Sequence, residues 1–304
     1  MRDNAILVVV DPTAGPNQPV LERASWLARQ GGARVELFAC VYDPAIDSGR
    51  IDRAWVTAPG AREQLLARHC RNLEELAKPL RDRGLAVTVD VVWDHPLDAA
   101  VVKKAAAHDY WLVAKDTHHH NVLQRTLLTQ TDWHLIRKCP APLLLVKDRT
   151  LSAEPNVLAA VDPLNEHDKP AALDDRIFNF GADLAKILRG HLHVVHAFST
   201  PMGVELPPDV RDILANEHRK AMREFLDAHP VAAERSYMYE GLADDSLQLA
   251  AKEHGADFVV MGAVARGGLK RLFIGSTAER VLDRLPCDLV IIKPLDFELP
   301  EGDQ

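Results

Sequence analysis

A unit of about 150 residues occurs twice in this chain of 304. Residues 5–12 (AILVVVDP) return as 157–163 (VLAAVDP), and residues 110–114 followed by 142–147 return as 258–262 followed by 287–293. That period is far too long for a solenoid repeat, whose units cannot bury a core alone, and it matches one ordinary domain. The chain is therefore expected to fold as two complete domains, 1–148 and 155–304, joined by the polar, proline-terminated segment KDRTLSAEP at 147–155.

Each copy alternates short β-branched runs with amphipathic stretches. The runs predict strands at 5–10, 35–41, 86–92, 110–114 and 142–147 in the first copy, with helices at 18–30, 60–83, 97–108 and 130–138. In the second copy they predict strands at 157–161, 191–197, 233–239, 257–262 and 288–293. Near-continuous apolar strands such as LVVV and FVVM, separated by helices, specify a parallel sheet covered on both faces. Five strands and four crossovers make a doubly wound sheet, so the fold class is α/β, two tandem doubly wound five-stranded domains. Gly31, Gly32 and Gly190 stand where the first helix of each copy should stop, as glycines do at helix C-termini.

Composition narrows the range of partners. With 47% hydrophobic and 26% charged residues, each half can bury a core, and no apolar run approaches a membrane span. The first 150 residues hold 20 Lys and Arg against 18 Asp and Glu, the remainder 16 against 26. An acidic second half without a basic stripe argues against direct nucleic-acid binding. The N-terminus places charges before an apolar run and lacks signal-peptide architecture, so the cytoplasm is the expected location. Cys40, Cys70, Cys139 and Cys287 follow no ligand spacing and read as reduced thiols.

In a doubly wound sheet, ligands bind beyond the carboxyl ends of the strands, where strand order reverses. Asp11 and Asp162, each ending a first strand and followed by proline, stand at that mouth. Each is suited to accept a hydrogen bond from a base or ribose, and equally to initiate an Asp-Pro turn. In the second copy, Gly262 ends the fourth strand, and Gly275, Ser276 and Thr277 open a helix running to 285. Glycine admits close backbone approach, and a Gly-Ser-Thr helix start offers free N–H groups to an anion. Arg266, Lys270 and Arg271 add positive charge to the intervening loop. A turn followed by a Ser/Thr cap accounts for the same residues without a ligand. His118, His119 and His120 alternate sides in an extended loop, so at most two of them, with His134 or Asp116, can share a metal; a polar loop is the plainer reading. Asp132 is expected to cap a helix from residue 133. No acid pair, HExxH or Walker pattern is present, and Ser276 lacks a visible histidine base, so no catalytic residue is assigned.

The stretch from Gly262 to Pro294 resembles the end of universal stress protein domains, whose ATP-binding members carry Gly-x2-Gly-x9-Gly-[Ser/Thr]. Here that pattern falls on Gly262, Ala265, Gly275 and Ser276, with alanine at the second glycine. The segment 131–140 (TDWHLIRKCP) is similar to the first-domain signature of the E-type tandem members, and the similarity covers the whole chain. The resemblance implies an adenine nucleotide alpha hydrolase-like fold. It also implies a nucleotide site in which Asp162 and the backbone at Ala197 face the adenine, Gly262 the ribose, Ala265 the turn over the phosphates, and Gly275, Ser276 and Thr277 the phosphates. ATP is the implied ligand, with Mg2+ only alongside it, and no metal site of the protein's own. No glycine occurs between Gly84 and Gly181, so the first domain is expected to be degenerate for ATP. The implied role is stress response and survival without efficient catalysis, slow ATP hydrolysis being a weaker alternative, with a homodimer and unidentified protein partners. From another class, an interaction scaffold or a carrier of an apolar or nucleotide-sugar ligand fits the same crevices.

Overall fold

The computed structural model describes residues 3–48, 60–117, 128–164, 172–200, 207–229, 235–263 and 284–298. The chain divides into two compact units, the first drawn from residues 1–116 and 130–146, the second chiefly from 147–300. In unit 1, strands β1 (Asp3–Val9), β2 (Arg34–Val41), β3 (Val87–Trp93), β4 (Tyr110–Asp116) and β5 (Leu143–Val146) lie in the order β3-β2-β1-β4-β5. All are parallel. Ala5, Ile6, Leu7 and Val8 of β1 are each 0% exposed, as expected for a central strand covered on both faces. Helices α1 (Pro19–Gly31), α2 (Pro44–Asp47), α3 (Ala61–Asp82), α4 (Leu97–Ala107) and α5 (Gln130–Lys138) complete the unit's described elements. Only the short α2 is absent from the sequence-derived layout. Asp43 nucleates it by accepting the N–H groups of Ala45 and Ile46.

Unit 2 repeats the plan. Strands β6 (Asn156–Val161), β7 (His191–Phe198), β8 (Ser236–Glu240), β9 (Phe258–Gly262) and β10 (Asp288–Ile292) lie in the order β10-β9-β6-β7-β8, again all parallel. Its described helices are α6 (Leu173–Leu188), α7 (Pro208–Ala228) and α8 (Ala243–Glu253).

Strand registers correct the repeat read from sequence. Asp116 pairs with Val146 just before Lys147, and Gly262 pairs with Ile292 just before Lys293. The counterpart of Phe258–Gly262 is therefore residues 112–116, two places beyond the match at 110–114. A shift of two preserves the inward and outward alternation, so apolar patterning cannot detect it. Asp132 also departs from expectation: it lies within the first turn of α5 rather than ahead of the helix. Fully buried, it accepts a hydrogen bond from Lys115 Nζ at 2.8 Å.

Helix ends follow two different solutions. Gly32 closes α1 at φ 65°, its N–H donating to Ala28 O. At the end of α6 the left-handed residue is Arg189, at φ 54°, not Gly190. Gly190 is needed for another reason: a Cβ there would lie 2.0 Å from Pro155 O. That carbonyl accepts the N–H of His191 at 2.9 Å, tying the segment before β6 to the start of β7.

The presumed linker is bonded into unit 2. Asp257, 0% exposed, accepts the Arg149 guanidinium at 3.1 Å and the N–H groups of Ser152 and Asn156 at 3.1 and 3.0 Å. Arg149 also donates to Ala256 O and Pro286 O, and Lys147 donates its N–H to Asp288 Oδ1 at 2.9 Å. Removing the shared acceptor leaves the Ser152 and Asn156 N–H groups without it and takes one of three acceptors from the Arg149 guanidinium, which keeps Ala256 O and Pro286 O. Asp257→Ala is therefore expected to lower the stability of unit 2 by about 1–3 kcal/mol and to open 147–155 to protease. Urea unfolding and limited proteolysis check both effects, and a loss under about 1 kcal/mol would show the clasp to be incidental.

Candidate functional site

A crevice in a parallel sheet opens where consecutive connections leave a strand in opposite directions. In unit 2 that strand is β6, flanked by β7 and β9. Beyond its carboxyl end lies a cleft of about 150 Å3, bordered by Asp162, Leu173, Asp174, Ile177, Ala197 and Gly262. Three of the residues expected around a nucleotide, Asp162, Ala197 and Gly262, are thus brought together. Ala265, Gly275, Ser276 and Thr277, with the loop cations Arg266, Lys270 and Arg271, lie outside the described residues, as do His118, His119 and His120.

The cleft combines an apolar bed with carboxylates at one end. Leu173 and Ile177 are each 2% exposed and form its floor with Leu247 and Met261. The Asp162 side chain is 35% exposed, and its peptide N–H donates to Asp174 Oδ1 at 3.2 Å. Asp174 sits in the first turn of α6, where the helix dipole favours negative charge. Gly262 has a structural duty beside its place in the cleft. A Cβ at that position would come within 2.7 Å of Leu173 Cδ2, so the missing side chain lets α6 pack closely onto β9.

Behind Asp162 lies a histidine pair that the sequence reading passed over. His196, 0% exposed, directs Nδ1 to Val161 O at 3.1 Å and Nε2 to His218 Nδ1 at 2.8 Å. Its Nδ1 is 3.7 Å from Asp162 Oδ1. Phe198 stacks on His218 with centroids 4.5 Å apart. Burial, and then the charge of His196, holds the His218 pKa below the usual histidine range; Asp162 and Glu217 oppose that shift. A polar residue in the otherwise apolar end of LHVVHAF was the available signal. Its partner, 22 residues onward, carried none.

At the corresponding place in unit 1 the side chains bond differently. Asp116, at the register position of Gly262, accepts the N–H of Val20 at 2.7 Å and so occupies the start of α1. Asp11 accepts the N–H and hydroxyl of Thr13 at 2.8 and 2.7 Å. Gln18 bridges the Asp11 N–H and carbonyl from the opposite side. Of the two readings open for the strand-end aspartates, Asp11 adopts the local turn. Among the described residues, no group of three or more His, Cys, Asp or Glu is placed to hold a metal ion, and no helix is long and apolar enough to cross a membrane.

Comparison with known proteins agrees with this architecture. The model of the universal stress protein family matches residues 4–147 and again 155–293. Universal stress protein E of Salmonella typhi is 30% identical over 303 residues, covering 97% of this chain and 96% of its own. Its counterpart in Escherichia coli K12 is likewise 30% identical, covering 97% and 95%. Among solved structures, a functionally unknown protein of Pseudomonas aeruginosa PAO1 superposes with a TM-score of 0.77 at 28% identity, covering 97% of this chain and 94% of that one. With the family matched twice in succession and full-length relatives of a single type, the chain belongs to the universal stress protein family as a tandem member of the E type.

Proposed function

We propose that this chain answers stress as a cytoplasmic nucleotide-binding protein, holding one adenine nucleotide in the cleft of unit 2 and acting through that complex rather than by efficient catalysis. A stress-response role comes with the family. The observation that carries the finer reading is the contrast at one register position: Gly262 borders an open cleft in unit 2, whereas Asp116 reaches across to a helix start in unit 1. The Asp162 carboxylate accepts the amino group of the base, the backbone at Ala197 lies alongside it, and Leu173, Ile177 and Leu247 supply the apolar bed on which a flat ring rests. The phosphates extend toward residues 265–277, and Mg2+ enters only with them. Free thiols at Cys40, Cys70, Cys139 and Cys287 suit a reducing compartment. The same apolar bed favours one second reading, a carrier of an apolar ligand, which mass spectrometry of material released from the purified protein distinguishes directly.

Calorimetry with ATP is expected to give one site per chain. Asp162→Ala removes a charged acceptor and should weaken binding by about 1.5–3 kcal/mol, roughly tenfold to a hundredfold. Gly275→Val places a branched side chain where backbone must approach phosphate and should abolish binding. Two equivalent sites, or full affinity in both variants, would contradict the assignment. In unit 1, Asp116→Ala should cost about 1 kcal/mol through the lost helix cap and leave the stoichiometry at one. A second site appearing in that variant would show that Asp116 alone had excluded the ligand.

A further inference from the structure

The buried histidine pair has no part in holding a nucleotide, yet it backs directly onto the carboxylate assigned to the base. Its protonation is constrained by its neighbours. Val161 O is an acceptor only, so His196 Nδ1 carries a hydrogen; in the neutral pair His196 Nε2 is then an acceptor, and His218 Nδ1 must donate to it across 2.8 Å. One further proton enters without breaking either bond: it sits on His218 Nε2, with the charge shared toward His196. A second would set two N–H groups head-on across that 2.8 Å contact. The pair therefore holds one added proton, and its titration belongs to both rings together.

We propose that this single proton regulates the unit 2 cleft: when the His196–His218 pair is charged, it draws the Asp162 carboxylate onto the His196 side and away from a ligand's amino group. The proposal rests on the nucleotide reading for its biological consequence, while the device itself lies in the protein alone. Among the described residues, the charged groups acting on the pair are Asp162 after β6 and Glu217 next to His218 on α7, and Asp174 on α6 holds the Asp162 N–H. Burial disfavours the charged pair and the carboxylates favour it, so occupation of Asp162 by a ligand removes one of the groups that support the proton. A bound ligand thus lowers the pair's pKa. By linkage, affinity is full above the free pair's pKa and falls as pH drops through it, levelling off below the bound value. A shift of one unit corresponds to a tenfold change in affinity.

Imidazole NMR of the ligand-free chain tests the device, with His196→Gln identifying the resonances. The pair should take up one proton in a shared step, and Asp162→Asn should move that step to lower pH by about one unit. Two independent protonations, or a step unmoved by Asp162→Asn, would overturn the proposal. Adenosine, which carries no titrating group between about pH 5 and 8, tests the consequence. Its affinity should fall roughly tenfold on acidification through the step. In the double variant His196→Gln with His218→Gln, which leaves neither ring of the pair to titrate, the fall should vanish. An undiminished fall in that variant would overturn the link to the pair. Failure of adenosine to bind at all would count against the nucleotide reading, leaving the NMR result to decide the device.

Discussion

A parallel sheet with helices on both faces confines its free backbone groups to the strand ends. Everything notable in unit 2 follows from that constraint. Along β6 the ladder to β7 runs to Val161 and the ladder to β9 to Ala159, so polarity is released only toward the strand's carboxyl end. There the two neighbouring connections part and the cleft opens, with Asp162 on its border. At the opposite end of the sheet the constraint is met differently. Asp257, itself buried, gathers Arg149, Ser152 and Asn156 onto one carboxylate, satisfying the segment that leads into β6. One end of the sheet is sealed by a carboxylate with three donors, and the other is left open beside a carboxylate that is a third exposed.

Duplication supplied two such ends, and their side chains are bonded differently. In unit 1 the place of Gly262 belongs to Asp116, whose side chain crosses to α1 and satisfies a helix-terminal N–H that an anion could otherwise contact. Lys115, at the register position of Met261, is buried against Asp132. The result is an internally neutralised polar cluster in place of an apolar cleft floor. Glycine at 262 admits α6 close to the sheet and leaves a cleft beside it; aspartate at 116 substitutes a hydrogen bond for that packing.

Much of this was legible in the sequence because the signals were local and repeated. The strands are continuous apolar runs, the helices keep their amphipathic spacing, and strand-end aspartates precede prolines in both copies. Asp162 and Gly262 were accessible for the same reason, standing at the ends of recognisable strands, whereas Ala197 came from the family resemblance alone. What escaped depended on contacts between distant segments. The two-residue offset of β4 preserves every face and shows only in the ladder. Asp132 carries the composition of a cap, yet its partner Lys115 lies 17 residues earlier. Gly190 reads as a helix stop, whereas its necessity comes from a carbonyl 35 residues away in sequence. The His196–His218 bond likewise joins a strand to a helix and leaves no spacing pattern behind.

The account's central claim is that two copies of one fold now differ in whether the strand-end crevice receives a ligand. Backbone amide NMR during titration with adenosine tests this residue by residue. The account predicts saturable shifts at Asp162, Leu173, Ala197 and Gly262, with Asp11, Val20 and Asp116 unmoved. Equal shifts in both sets, or shifts confined to the unit 1 residues, would contradict it.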